Sequence, residues 1–424
     1  MRRDAQVWVI RYFFLFSLIT TSITSFAVDW SVSGFGTLGY SYENEDDLAY
    51  LRDITRTADI SDNGSFGTDS NLGIQLDGTF NRKWSFTTQL VLDDSVKHNL
   101  DTVTELAFLR FTPNANWEFR AGRAGVNAYA AANSRNIDYA HLWVRPPQEL
   151  YGSVVFNSLD GVGATYYSNN PEFNWQAKIQ FGRNSEEGEL SLTKDRFSTD
   201  IEQVLGLSFD VIQDNWKWQL SYAHVGSLTV NQSESIKTLQ QGIGQVAMLG
   251  IPGVSDEAAA ISEHLVIDGE KLDYFQAAVG YFDGVWTAQV ELFQVNAKKK
   301  SIPQGYGGYG LIGRNFGQFT PYLMYGVFNA SNEVYTAQTD WGAVDPNLGV
   351  LQASSIAGIN AVRVDQATYS FGLRWDVTSN IALKAQIDHV EISPFGYGLW
   401  AASVDRFASG SDIQVYTLNL NFIF

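Results

Sequence analysis

The stretch that decides the fold ends the chain: Tyr416-Thr417-Leu418-Asn419-Leu420-Asn421-Phe422-Ile423-Phe424. Apolar and polar side chains alternate along it, and the apolar set runs to the terminal residue as Tyr416, Leu418, Leu420, Phe422 and Phe424. Because side chains alternate between the two faces of a β-strand, this pattern predicts a strand with one apolar face. A strand in water gains little from ending on phenylalanine beside a free carboxylate. The stretch therefore predicts a terminal strand whose apolar face lies against lipid.

The same period of two recurs along the chain in segments of about ten residues. Examples are 72–80, 84–92, 216–222, 286–292, 369–375 and 381–387. Such segments exceed the usual strand length of about 5–6 residues and match the roughly 9–11 residues that a tilted membrane strand needs. Alternation alone also fits a soluble β-sandwich, so the length of the segments carries the argument.

The connections between these segments alternate between tight turns and long loops. The long loops fall at 41–69, 93–102, 124–160, 184–200, 225–271, 296–305, 329–365 and 391–411. This asymmetry is typical of outer-membrane barrels, and lipid cannot satisfy an open sheet edge. The sequence therefore predicts an all-β, transmembrane antiparallel barrel of about sixteen strands. Aromatic residues near the short turns predict a girdle at the headgroup level: Phe80, Trp84, Trp117, Trp175, Trp216, Phe282, Trp286, Phe316, Phe319 and Trp375.

Residues 1–27 have the pattern of a cleaved secretory signal peptide. Arg2, Arg3 and Arg11 precede an apolar run, and Ser25-Phe26-Ala27 places small residues at the −3 and −1 positions of a cut before Val28. The alternative is an uncleaved membrane anchor, but the apolar run is short for the roughly 20 residues of a spanning helix. We expect residues 28–424 to form a single barrel domain in the cell outer membrane.

Composition excludes several other classes of protein. A formal net charge of −18 argues against nucleic-acid binding, and the absence of cysteine excludes disulfides and thiolate metal sites. A mean hydropathy of −0.13 is too polar for a helical membrane protein. The five histidines are scattered, no G-x-S-x-G elbow occurs, and His224 and Ser221 fall on opposite faces of one strand. We therefore expect no enzyme activity, catalytic residue, metal or cofactor.

Three motifs resemble the Gram-negative outer-membrane porin superfamily. Ser33-Gly34-Phe35-Gly36-Thr37-Leu38-Gly39 is similar to a porin first strand, and 105–110 followed by 119–123 is similar to the strand pair before the porin constriction loop. The segment 143–151, leading to Asp160-Gly161, resembles a gammaproteobacterial porin-like subfamily. The resemblance extends over essentially the whole chain after residue 27.

This resemblance implies that the third long loop, 124–160, folds into the barrel and narrows a pore. Asp138 and Glu149 are then candidate loop carboxylates of a constriction, and the candidate cations on the wall are Arg110, Arg120, Arg123 and Arg374. Opposed charges across a constriction favour small polar solutes. The resemblance also implies a homotrimer, recognition of the terminal strand by the barrel-assembly machinery, and contact with lipopolysaccharide, for which Lys298-Lys299-Lys300 is a candidate.

The resulting expectation is a water-filled channel for passive diffusion of ions and small hydrophilic solutes. One alternative is a substrate-specific channel for an oligosaccharide or anion, which an inward aromatic ladder would favour; the sequence shows no clear ladder. Another is a non-channel surface barrel, acting as an adhesin or phage receptor through loops 225–271 and 329–365. The overall acidity favours cations over anions.

Overall fold

The structure is a computed structural model that describes residues 28–53, 56, 64–95, 97–153, 157–168, 170, 173–189 and 196–424. The expected signal peptide, 1–27, lies outside the described residues. Within them the chain is mostly antiparallel β-structure, as expected for a barrel.

Sixteen long strands form the barrel wall, which confirms the predicted number. Their bounds are Asp29–Glu43, Asn71–Thr79, Trp84–Leu92, Thr104–Asn114, Trp117–Gly125, Ser158–Tyr167, Asn174–Glu189, Arg196–Gln213, Trp216–Asn231, Glu270–Phe282, Trp286–Ala297, Gly305–Arg314, Phe319–Ala330, Val364–Asp376, Ile381–Tyr397 and Ser411–Ile423. A two-residue strand, Gly64–Ser65, extends this sheet, and Leu48–Tyr50 pairs with Trp400–Ala402 in a separate ladder.

The last strand closes the barrel on the first. Their antiparallel register runs from Phe35 opposite Ile423 to Glu43 opposite Val415. Gly34 and Phe424 also exchange two backbone hydrogen bonds, of 2.8 and 2.9 Å. Closure pairs the backbone groups that an open sheet would present to lipid, where they would have no partner.

The terminal strand separates an apolar outer face from a polar inner face. Leu418 and Phe424 are 61% and 62% exposed, whereas the intervening Thr417, Asn419 and Asn421 are buried. The side-chain amide of Asn419 donates to the carbonyl of Val144, in the third long loop, at 2.9 Å. This loop therefore lies on the inner side of the wall. The outer face is suited to lipid.

Large aromatic side chains surround the barrel near its short turns. Trp84, Trp117, Trp216, Trp286 and Trp375 are each between 38% and 44% exposed. The turns themselves are tight, and Gly284 adopts a φ of 88°, a left-handed conformation that glycine tolerates without steric cost. This arrangement agrees with the predicted aromatic girdle.

A helical cap lies among the long loops and consists of Glu234–Ala247, Val254–Leu265 and Pro346–Asn360. It has a small core of its own, built from Ile243, Val246, Val254, Ala258, Ile261, Leu265, Trp341 and Ile359. The second helix has Gly253 at its N-cap, and the Ser255 hydroxyl accepts from the N–H of Ile251 and donates to the carbonyl of Val246. Among the described helices, none is both long and apolar enough to span a bilayer.

The buried carboxylate of Glu257 joins the parts of the cap. It accepts hydrogen bonds from the backbone N–H groups of Gln338 (2.7 Å) and Thr339 (3.0 Å), the Trp341 indole (3.0 Å) and the Gln352 amide (3.1 Å). Burial raises the pKa of Glu257, but these hydrogen bonds outweigh it and hold the pKa below its ordinary value. The cap is therefore organised around a fully bonded anion.

Candidate pore and constriction site

Residues 126–153, here called the lumen loop, cross the interior of the barrel. The loop follows strand Trp117–Gly125 and reaches the far wall at strand Val364–Asp376. There the buried carboxylate of Glu149 accepts hydrogen bonds from the Gln366 amide, at 2.7 Å, and from the Thr368 hydroxyl. Burial raises the pKa of Glu149, although both of these donors favour its charged form. One of the two expected loop carboxylates is thus bonded to the wall opposite the loop's origin.

Asp138, the other expected loop carboxylate, is also bonded to the wall. It accepts from the Thr37 hydroxyl at 2.8 Å, from the Asn71 amide at 3.1 Å and from Arg52 at 3.1 Å. Lys384, on strand Ile381–Tyr397, donates to the carbonyls of Asp138 (2.5 Å) and Trp143 (2.9 Å). The Lys384 ammonium is buried and holds loop backbone in place.

Arg145 provides the most heavily bonded attachment of the lumen loop. Its guanidinium makes two hydrogen bonds to Asp69, of 2.8 and 2.7 Å, and lies 3.5 Å from a carboxylate oxygen of Asp388. It also bonds the Thr417 hydroxyl and lies over the ring of Tyr50, 4.5 Å from the ring centroid. Burial would lower the pKa of Arg145, but Asp69 and its other neighbours raise it well above the usual range. Sequence reasoning left this residue without a role.

Arg374, an expected wall cation, also binds the loop. It donates to the carbonyls of Tyr139 (2.6 Å) and His141 (2.9 Å), and its guanidinium lies 4.8 Å from the centroid of the Tyr139 ring. His141 stacks on Trp143, with ring centroids 4.4 Å apart. Burial, reinforced by the positive charges of Lys384 and Arg374, lowers the pKa of His141 to about 4. The imidazole is therefore neutral at neutral pH.

The half of the barrel interior nearest the long loops is filled with buried aromatic side chains. The sequence did not predict this packing. Tyr151 of the lumen loop donates to Glu291 on the wall at 2.9 Å, and Tyr309 donates to the same carboxylate at 3.2 Å. Trp143 and Tyr129 pack edge-on against wall rings, at centroid distances of 5.7 Å. The inward aromatics therefore exist, but they pack against the loop and do not form an exposed ladder.

The flank of the lumen next to the loop's origin is different, because its charged side chains remain partly exposed. Arg110 and Arg120 are register partners on adjacent strands, and their guanidinium carbons lie 5.5 and 5.0 Å from the centroid of the Phe108 ring. Both pair with Glu118, at 3.5 and 2.7 Å. The structure thus brings these two predicted cations together, but it does not place Asp138 or Glu149 opposite them.

Arg123 lies elsewhere, near the long-loop end of its strand. It forms ion pairs of 2.8 Å with Asp101 and with Asp160, whose side chains are 71% and 45% exposed. It also donates to the carbonyl groups of Asp101 and Thr104. These contacts give Arg123 a place in the rim of the barrel.

The structure also gives the contacts of Lys299, Lys300 and His224, which the sequence analysis considered. Lys299 donates to the carbonyl of Glu263 near the end of a cap helix, at 2.6 Å, and Lys300 lies 5.6 Å from the centroid of the Tyr335 ring. On the lipid-facing side, His224 lies 2.8 Å from Asp273, which also accepts from Tyr222. Among the described residues, no cluster of three His, Asp or Glu has the geometry to hold a metal ion.

A closed barrel of sixteen antiparallel strands with a long loop bonded across its interior is the architecture of the porins. The anion-selective porin from Comamonas acidovorans is similar, with a TM-score of 0.51 and 12% identity over 94% of this chain and 100% of that one. OmpF of Salmonella typhi, in complex with daunomycin, is similar with a TM-score of 0.52 and 10% identity, over 95% and 99%. At these identities the likeness shows the fold: this chain has the porin fold. No protein-family model matches the sequence, and no curated protein does.

Proposed function

We propose that this protein is a porin-type channel of the outer membrane that admits ions and small hydrophilic solutes by passive diffusion. The observation that carries the proposal is that the lumen loop is bonded more extensively to one side of the barrel wall than to the other. Loop residues bond the wall from strand Trp286–Ala297 to strand Asn71–Thr79. On the other flank the Asn127 N–H bonds Gln180 at 3.3 Å, and Arg110 and Arg120 remain 34% and 27% exposed. Solutes pass on this flank, between the lumen loop and the wall.

The same proposal includes the route to the membrane and the partners. Residues 1–27 direct export and are removed, and the terminal aromatic strand is recognised by the barrel-assembly machinery. The mature barrel is a homotrimer that contacts lipopolysaccharide at its long-loop rim. It performs no catalysis, since its charged side chains serve to seat the loop and to line the path.

The experiment is single-channel recording of the refolded chain, residues 28–424, in a planar bilayer under a salt gradient. The proposal predicts stepwise openings in multiples of three. Folding of the barrel is checked by the change in its gel mobility on heating. If the folded barrel gives no conductance, the channel function is refuted.

A second candidate function is favoured by the packed aromatic interior. Tyr151, Trp143, Tyr274 and Tyr309 are all buried where the loop meets the wall. A barrel filled in this way would serve as a surface protein, and its helical cap would carry the binding role. Absence of conductance together with intact folding is the outcome that would support this candidate.

A further inference from the structure

The partly exposed flank contains an open cavity between the lumen loop and the wall. Its polar lining comes from Arg120, Thr165, Lys178 and Gln180 on the wall and from Asn127 and Asn133 on the loop.

Glycines are frequent in this part of the wall. In one register row Gly122 lies opposite Gly161, which lies opposite Gly182, so three adjacent strands carry no side chain. In the next row Gly163 lies between Arg120 and Gln180. A side chain at Gly163 would occupy the cavity, and its Cβ would stand 3.3 Å from the carbonyl oxygen of Ile179. Gly163 therefore leaves room for a solute between Arg120 and Gln180.

Both cations keep donors available for a ligand. Among the described residues, Arg120 uses its Nε to bond Glu118 at 2.7 Å, and no partner is bonded to its two terminal nitrogens. Lys178 is held by Asp210 at 2.9 Å, which leaves two of its three hydrogens. Planar guanidinium groups bind carboxylates well, and charge-assisted hydrogen bonds are the stronger class.

The local charge balance points to a ligand with a single negative charge. Three cations, Arg110, Arg120 and Lys178, face two carboxylates, Glu118 and Asp210. One anionic group would neutralise this set. The Asn127 and Asn133 amides and the Thr165 hydroxyl around it match hydroxyl groups on the rest of the solute, whereas the Gln180 amide is bonded to Ala124 and Asn127.

We infer that this cavity binds small hydroxylated monocarboxylates, such as sugar acids, during their passage through the barrel. The inference deepens the proposed channel function and rests on it for the passage, although binding can be measured without conductance. The net charge of −18 would favour passage of cations. The cavity favours an anion instead, because the groups around it have a local excess of positive charge.

The test is calorimetric titration of the folded barrel in detergent with sodium gluconate, and with sorbitol as an uncharged probe of similar size. We expect saturable binding of gluconate and none of sorbitol. The double variant Arg120→Gln/Lys178→Gln should lower the affinity roughly tenfold or more, as loss of charge-assisted bonds implies. Gly163→Leu, which keeps both charges and fills the space, should also abolish binding.

The matched control is Arg314→Gln/Lys237→Gln, which removes the same two charges from the outer girdle and a cap helix. It should bind gluconate as the native chain does. Equal binding of gluconate and sorbitol, no binding at all, or unchanged affinity in the Arg120→Gln/Lys178→Gln variant would overturn the inference. Conductance without gluconate binding would refute this site but support the channel function. Gluconate binding without conductance would support the site but refute the channel function.

Discussion

Replacing Arg145 by methionine should destabilise the folded chain by roughly 3–5 kcal/mol, the usual cost of breaking a buried ion pair. The side chains of Arg145 and Asp69 are 3% and 0% exposed, and they share two hydrogen bonds of 2.8 and 2.7 Å. Methionine fills much of the same volume but leaves Asp69 with Arg52 alone, at 3.9 Å, and removes the positive partner that lies 3.5 Å from Asp388. The loss of stability arises mainly because these buried carboxylates lose the positive charge of Arg145.

The double variant Arg145→Met/Asp69→Asn separates this cause from lost packing. Because it removes both charges, it should be more stable than the sum of the two single changes predicts, with a coupling of about 2 kcal/mol. The assay is equilibrium unfolding by urea in detergent micelles, followed by tryptophan fluorescence. The control Arg314→Met, on the exposed outer face, should change stability by no more than about 0.5 kcal/mol.

Two results would refute this reasoning. One is a cost below about 1 kcal/mol for Arg145→Met, a value normal for exposed ion pairs. The other is strict additivity of the two single substitutions, which would mean that Arg145 and Asp69 do not depend on each other. Either result would imply that the lumen loop is not held to the wall by this ion pair.

Three further predictions concern the loop, the terminus and the cap. Because burial raises the pKa of Glu149 above its ordinary value, near 4.5, its contribution to stability is full below that pH and is lost as pH rises through the raised pKa. The melting temperature of the native chain should therefore fall relative to Glu149→Gln between pH 4.5 and 8; parallel curves would contradict this. Phe424→Ala should reduce the amount of folded barrel in the outer-membrane fraction, and undiminished assembly would show that the last ring is dispensable. Glu257→Ala should destabilise the helical cap by about 2 kcal/mol or more, because it leaves buried donors without an acceptor. We expect faster amide hydrogen exchange confined to the cap. Unchanged exchange in the cap would contradict this prediction.

The barrel could be predicted from sequence because strand parity is a local property. Alternation around Leu418, Phe371 or Trp286 identifies a strand and its two faces without knowledge of its neighbours. The number of strands follows from the number of such segments, and the rim asymmetry follows from the connections between them. None of these steps requires a contact between distant residues.

The interior could not be predicted in this way because its contacts join distant parts of the chain. Lys384 bonds the carbonyl of Asp138 across 246 positions, and Glu149 bonds Gln366 across 217. Sequence alone gives no register between a loop and a wall, so it could not predict that Asp138 pairs with Arg52 and that Glu149 bonds Gln366. Arg145 and the loop aromatics Trp143 and Tyr151 were missed because loop residues have no parity.

The cap was missed for a different reason. Glycines interrupt the helical pattern of Glu234–Ala247, and glycine disfavours helix interiors. Ser233 does cap this helix, and Asp345 with Pro346 begins the last one. These local signals were present, but they are weak without the packing partners that the other loops supply.

The pairing of the first strand with the last imposes an order on folding. Strand Asp29–Glu43 is synthesised long before its partner Ser411–Ile423. Contacts of such high sequence separation form slowly, and unpaired strands expose surfaces that aggregate. The first strand therefore stays without one of its two partners until strand Ser411–Ile423 has been made. A truncation of a dozen residues would leave the seam open and expose the incomplete chain to proteolysis.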